Sequence, residues 1–254
     1  MIYAKNIDVN NICLNYHAFS GLKANDNIES IYTVDFEKFQ DHLGLLTEIQ
    51  NISISELFEP PKINFSYSLT FDDGYKSHIR IAEELAKRNL KGTFYIITNE
   101  VSKNKKFLTK KDLLEMVELG MEIGSHTCSH RHVNRLPTNE MIKELRVSKA
   151  FLEDIINMQV VSISYPGGHF GKREVKQSII EGYSNQRTCI TGFNILPIKN
   201  HFIKCYNIKN FVDLAYLNQL IGPSPNLRNL IKIRELGLYI PKYLHSRFQF
   251  NKLT

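Results

Sequence analysis

Apolar positions along this chain recur with two periods. Runs of strand type occupy residues 12–17, 63–71, 92–97, 121–124, 160–165, 187–191 and 202–208, rich in β-branched and aromatic residues. Between them, apolar residues return every three or four positions, the period of an amphipathic helix. Phe36, Phe39, Leu43, Leu46 and Ile49 predict a helix over 35–50, and Ile79, Ala82, Leu85 and Ala86 one over 78–89. Thr109 and Asp112 have capping-box spacing ahead of Leu113, Leu114 and Val117, with Gly120 as the stop. Ile142, Leu145, Leu152, Ile155 and Ile156 predict a long helix over 138–157, and a further helix is expected over 172–181. Strands alternating with helices imply βαβ units and an α/β fold with a parallel sheet, open or closed into a barrel.

Three polar clusters interrupt this pattern, each at or just beyond the C-terminal end of an expected strand. They are Asp72-Asp73, His126 to His130, and Tyr165 to His169. In α/β folds those strand ends converge on one face, where sites are built. Successive side chains point to opposite sides of a strand. Asp72 and Asp73 therefore leave the strand in different directions, which suits one for binding a metal and the other for acting as a base. His126 and His130 are four residues apart. On a helix both imidazoles would lie on one face, within reach of a single ion. With one carboxylate they form a two-histidine, one-carboxylate set that leaves positions open for water and substrate.

Composition narrows the class. Of 254 residues, 43% are hydrophobic and 23% charged, the proportions of a globular protein with a sizeable core. We expect one domain over residues 1–220 and a basic amphipathic segment over 221–254. That segment carries Arg228, Lys232, Arg234, Lys242 and Arg247 among apolar and aromatic residues, a composition suited to peripheral contact with an anionic membrane. The formal charge of +6 favours anionic partners. With no zinc-finger or RNA-binding signature, nucleic acid is not an expected one. Cys13, Cys128, Cys189 and Cys205 are widely spaced, which predicts free thiols. Residues 1–10 contain no apolar leader-like run, and the expected location is the cytoplasm.

Thr70-Phe71-Asp72-Asp73-Gly74 followed by His126-Thr127-Cys128-Ser129-His130 resembles the first two motifs of the polysaccharide deacetylases, the NodB-homology carbohydrate esterases. Ser164-Tyr165-Pro166-Gly167-Gly168 stands where that family has a third, R-x-P-x-G-like, motif. Tyr16-His17, the helix at 36–49 and Ile54-Ser55 are similar to the poly-N-acetylglucosamine deacetylase branch. The resemblance covers residues 11–208 and implies a distorted (β/α) barrel with fewer than eight complete units. It further implies that Asp73, His126 and His130 hold a divalent metal, most often Zn2+, with Co2+, Ni2+ or Mn2+ as alternatives. Asp72 would then take a proton from the attacking water, and the Gly167 N–H would meet the oxyanion formed from an N-acetyl or other N-acyl group. A Gly-Gly pair after Pro166 permits the close backbone approach that such a donor needs. Tyr165, Pro166 and Gly168 would line the substrate.

Two departures stand out. Ser164 replaces the arginine that orients the catalytic aspartate in many members, and no late Leu-x-His motif supplies the general acid. His169 and His201 are the candidates for that acid. The expected activity is removal of an N-acyl group from a nucleotide- or lipid-linked amino sugar during surface glycan assembly. Deformylation of a lipid-linked formamido sugar is an enzymatic alternative, and a catalytically silent carbohydrate-binding homologue is the non-enzymatic one.

Overall fold

The computed structural model describes residues 10–22, 30–61 and 65–221. Among the described residues the strands run β1 (Asn10–Tyr16), β2 (Phe19–Ser20), β3 (Val34–Asp35), β4 (Gln50–Asn51), β5 (Phe65–Phe71), β6 (Thr93–Ile96), β7 (Glu122–Ser125), β8 (Ser162–Ser164), β9 (Asn185–Arg187), β10 (Asn194–Ile195), β11 (Phe202–Ile203) and β12 (Tyr206–Asn207). The helices are α1 (Phe36–Leu45), α2 (His78–Lys87), α3 (Lys110–Glu118), α4 (Thr138–Ile156), α5 (Lys172–Ile180) and α6 (Leu214–Ile221). Residues 222–254, which hold nearly all of the expected basic segment, lie outside the described residues.

Strands β1, β5, β6, β7, β8, β9 and β11 neighbour one another in that order, every pair parallel. The stretch from β11 to β12 then joins the two ends. Thr188 N–H donates to Ile203 O and Cys205 N–H to Ile190 O on one side. On the other, β12 pairs with β1 and Ile208 N–H donates to Asn15 O. The result is the expected α/β barrel, nearly closed and with an incomplete set of helices.

Closure gives each strand an inner and an outer face. On β5 the outward Tyr67, Leu69 and Phe71 are buried under helices, and Phe71 stacks on Phe94 at 4.5 Å. Such a pair adds about 0.5–1.5 kcal/mol beyond the area it buries. The inner face is polar. Asn11 donates to Ser66 and Ser68, and Thr70 donates to Asn15 at 2.8 Å. Arg187, 1% exposed, is the largest fully buried side chain and fills the barrel interior.

Helix limits follow local chemistry. Asp35 caps α1 by accepting Glu37 N–H at 2.9 Å, and Thr109 with Asp112 makes the expected capping box on α3. Asn157 ends α4 in the left-handed conformation, φ 51°. The helix expected over 35–50 stops at Leu45, so Leu46 and Ile49 belong to the turn that follows. Among the described residues, no helix is long and apolar enough to cross a membrane.

Candidate active site

The Asp72-Asp73 pair sits where β5 ends. Asp72 continues the inner face of Ser66, Ser68 and Thr70, and Asn15 Nδ2 donates to its Oδ2 at 3.1 Å. Asp73 would continue the outer face, but its φ of 80° turns the chain over the strand end. Its Oδ1 lies 3.4 Å from His126 Nε2 and 3.4 Å from His130 Nε2. One donor atom from each of the three residues falls within 4.8 Å of the others.

The two histidines reach this point without a helix. Residues 126–130 are a loop after β7, with left-handed Thr127 (φ 66°) and His130 (φ 59°) bending it back on itself. Two positive φ values in four residues cannot be accommodated by a right-handed helix. The loop is held from beneath by Glu144 of α4, which accepts Cys128 N–H at 2.8 Å, Ser129 N–H at 2.9 Å and the Ser129 hydroxyl. His126 Nδ1 donates to Ser164 O at 2.7 Å, leaving Nε2 to face Asp73. That backbone partner fixes the tautomer, as the outer contacts of metal-ligating histidines do. The cluster fits a small divalent cation: two imidazole nitrogens and a carboxylate oxygen converge, and one histidine is pre-oriented.

Asp72 is bound differently. Arg187 ion-pairs with its Oδ2, while Oδ1 has no hydrogen-bond partner among the described residues. Arg187 comes from β9, and the ladder pairs it directly with Ser164 of β8, whose hydroxyl accepts from the same guanidinium nitrogen. The arginine absent from position 164 is thus supplied one strand away, in register, and it crosses the barrel interior to Asp72. Cys205 and Cys189 sulfurs flank its other terminal nitrogen at 3.6 and 3.7 Å, and the Tyr95 ring lies 5.3 Å from its carbon. Burial pushes the Cys205 thiol up, so it stays protonated and Asp72 is the guanidinium's anionic partner.

Burial by itself would raise both aspartates. At Asp72 the Arg187 guanidinium, with His126 and His17, outweighs burial and holds the carboxyl below its usual range. At Asp73 the hydrogen bond and charge of His126, then His17 and His130, likewise outweigh burial and lower the carboxyl. Burial disfavours the imidazolium of His126, yet the facing Asp72 and Asp73 raise its pKa overall. His130 shifts the other way, lowered by burial and by His126.

The remaining expected residues separate. Gly167 lies at φ 63° beside the His132 and His169 rings, whose centroids are 4.4 Å apart and whose planes are tilted by 41°. A Cβ there would come within 3.0 Å of both rings. Gly168 packs on Cys189, where a Cβ would lie 2.6 Å from the cysteine Cβ. Pro166 is buried. The Tyr165 ring is turned into the core, its hydroxyl 2.6 Å from Gln186 Oε1 and 2.8 Å from Ser178 Oγ, so its side chain offers no substrate surface. His201 does not join the cluster. It precedes β11 and bonds Ser184 O at the start of β9, whereas the site gathers where strands end.

His17 does join it. Extending the β1–β5 register by one residue past Tyr16↔Phe71 sets His17 opposite Asp72, and its Nε2 lies 3.7 Å from Asp72 Oδ2. The ring lies against Tyr32, with centroids 4.8 Å apart and planes tilted by 31°. Sequence reasoning passed over His17, Asn15 and Arg187. The signal available was the alternation of small polar residues along β1 and β5, which marks a polar barrel interior.

The polysaccharide deacetylase family model matches residues 61–183, a span that runs from the approach to β5, through the Asp72-Asp73 and His126–His130 loops, to just past α5. The chain carries a polysaccharide deacetylase domain. YxkH of Bacillus subtilis is 31% identical over 116 residues, 45% of this chain and 41% of that protein. The peptidoglycan-N-acetylglucosamine deacetylase PgdA of Listeria monocytogenes is 32% identical over 95 residues, 36% of this chain and 19% of that protein. The chain therefore matches less than half the length of either curated relative. Among solved structures, the Streptococcus pyogenes deacetylase PplD in complex with acetate superposes with a TM-score of 0.75 at 20% identity. That alignment covers 85% of this chain and all of PplD, so the deacetylase domain shares its fold.

Proposed function

We propose that this deacetylase domain is a divalent-metal-dependent hydrolase that removes an N-acetyl, or another N-acyl, group from an amino sugar in surface glycan assembly. The observation that carries the reading is the division between the two carboxylates. Asp73 converges with His126 and His130, whereas Asp72 has one oxygen committed to Arg187 and Asn15 and the other, among the described residues, without a hydrogen-bond partner. Asp73, His126 and His130 would hold the cation, and their mixed nitrogen and oxygen donors suit Zn2+, with Co2+, Ni2+ or Mn2+ as substitutes. When bound, the cation supplies Lewis acidity, acidifying water and polarising the acyl carbonyl.

The chain's own groups do the rest. Asp72 Oδ1 accepts the proton of the attacking water, and Arg187 keeps that carboxylate ionised and fixed. The Gly167 peptide, in a backbone conformation that brings it close to a ligand, donates to the developing oxyanion. Protonation of the leaving amine falls to His17, the imidazole beside Asp72, rather than to His201. A nucleotide- or lipid-linked sugar met at the cytoplasmic side of the membrane is the substrate class we favour.

Acetate release from N-acetylated amino sugars tests the reading. Activity is expected to disappear on chelation and return with Zn2+. Release that survives complete removal of metal would refute it. His17→Gln is expected to lower kcat by about two orders of magnitude. It should also remove the alkaline limb of the pH profile, since an acid is lost as pH rises through its pKa, and burial sets that limb below the usual imidazole range. His201→Ala should keep kcat within about twofold of the parent, the cost typical of an exposed substitution. The reverse ranking would return the acid role to His201.

A further inference from the structure

The loop between β6 and α3 is bonded to both metal loops. Ile97 N–H donates to Asp73 O at 3.4 Å, Leu108 N–H to Gly74 O at 3.0 Å, and Lys76 N–H to Lys106 O at 2.8 Å. Tyr75 and Phe107 form a β-bridge with rings 5.1 Å apart. On the other side, Thr98 N–H donates to Thr127 O at 3.2 Å and Asn99 N–H to Cys128 O at 3.0 Å, within the His126–His130 loop. The tip is closed by Ser102 N–H to Leu108 O at 3.1 Å and Asn104 N–H to Glu100 O at 3.2 Å. It is a constructed rim of the active site.

This rim concentrates positive charge. Lys103, Lys105, Lys106, Lys110 and Lys111 fall within nine residues, all exposed. The nearby acids are engaged elsewhere. Asp112 pairs with Lys76 and closes the Thr109 cap, and Glu100 accepts Asn104 Nδ2 at 3.0 Å. Among the described residues, Lys103, Lys105 and Lys106 make no ion pair. General basicity does not account for this. Residues 1–221 are close to neutral, since residues 222–254 hold six of the basic residues and one acid. Lys110 and Lys111 also stand in the first turn of α3, where the helix dipole disfavours cations. Like charges gathered on a fixed loop, against a helix N-terminus, create a field suited to a compact anion with several oxygens.

Resting on the function proposed above, we propose that Lys103, Lys105 and Lys106 bind the phosphate or diphosphate ester of a carrier-linked N-acylated amino sugar. The anchored ester would place the sugar's acyl end at Asp73, His126 and His130. Two sources share this chemistry, a nucleoside diphosphate sugar and a lipid diphosphate sugar.

The test compares the Zn2+-loaded full chain with the Lys103→Ser/Lys105→Ser/Lys106→Ser variant on three substrates. These are a uridine diphosphate-linked N-acetylhexosamine, a short-chain polyprenyl diphosphate-linked one in detergent, and a neutral N-acetylglucosamine oligomer. Relative to the neutral oligomer, kcat/KM for at least one diphosphate-linked substrate should fall about tenfold or more, chiefly through KM. The loss should shrink as salt shortens the screening length to about 3 Å at 1 M. Which diphosphate substrate loses more identifies the carrier. Inorganic diphosphate should inhibit the parent protein and inhibit the variant less. Equal effects on all three substrates, or none, overturn the proposal. If the parent releases acyl groups from no substrate, the proposed function fails, and calorimetry with inorganic diphosphate decides this point separately. Binding weakened by the three substitutions upholds the lysine site, and absence of binding to the parent overturns it.

Discussion

Asp72→Asn is expected to lower kcat by about three orders of magnitude while leaving metal uptake unchanged. The amide matches the carboxylate in shape and can still face Asn15 and Arg187, but it cannot take a proton from water. Loss of a positioned base costs about 10²–10⁴-fold. Asp72 contributes no donor atom to the Asp73, His126 and His130 cluster, so Zn2+ affinity should stay with that of the parent. Measuring zinc binding and acyl release on the same preparation separates the two roles. Parallel loss of both would mean that Asp72 belongs to the metal set.

Arg187→Ala has the second large effect, on stability as well as on activity. The ion pair with Asp72 is fully enclosed: Arg187 is 1% exposed and Asp72 3%. Removing one partner of a buried pair leaves the other charge desolvated, a loss of about 3–5 kcal/mol. The pH dependence follows from the same residues. In the intact pair Arg187 overrides burial and holds Asp72 below its ordinary value, so the base remains anionic until pH falls through that depressed pKa. Without the guanidinium, the largest influence opposing burial is gone and the pKa rises. The acid limb of kcat/KM then moves to higher pH, as does the acid limb of stability.

Returning the arginine to the third motif, as Ser164→Arg with Arg187→Ser, exchanges partners that face each other across the β8–β9 ladder. The double variant should recover part of both losses and move the acid limb back. An acid limb that stays put in Arg187→Ala, or a double variant no better than the single one, would show that Arg187 does not set the state of Asp72.

The chain's own order of residues determined a good deal. The alternation of short β-branched strands with amphipathic helices is a local property, and it predicted a parallel sheet, open or closed, because helical crossovers and parallel strands imply each other; the barrel itself was an expectation of the family resemblance. Asp73, His126 and His130 were legible as a candidate metal set because each belongs to a short motif at a strand end, and strand C-termini share a face. Tertiary structure decided what depends on pairs distant in sequence. Arg187 is 115 positions from Asp72, and only barrel closure brings it across the interior. Ser164 looked like a missing arginine because a linear motif cannot show that a neighbouring strand, in register, supplies the same cation. His17 and Asn15 became neighbours of Asp72 through the β1–β5 register, while His201 was carried to the opposite end of the sheet. Tyr165, beside the glycine turn, had its ring drawn into the core, its hydroxyl bonded to Gln186 and Ser178. Motif spacing is set within the chain and survives folding. Which group orients the base, and which imidazole stands beside it, is set by strand register and closure, and those exist only once the barrel has formed.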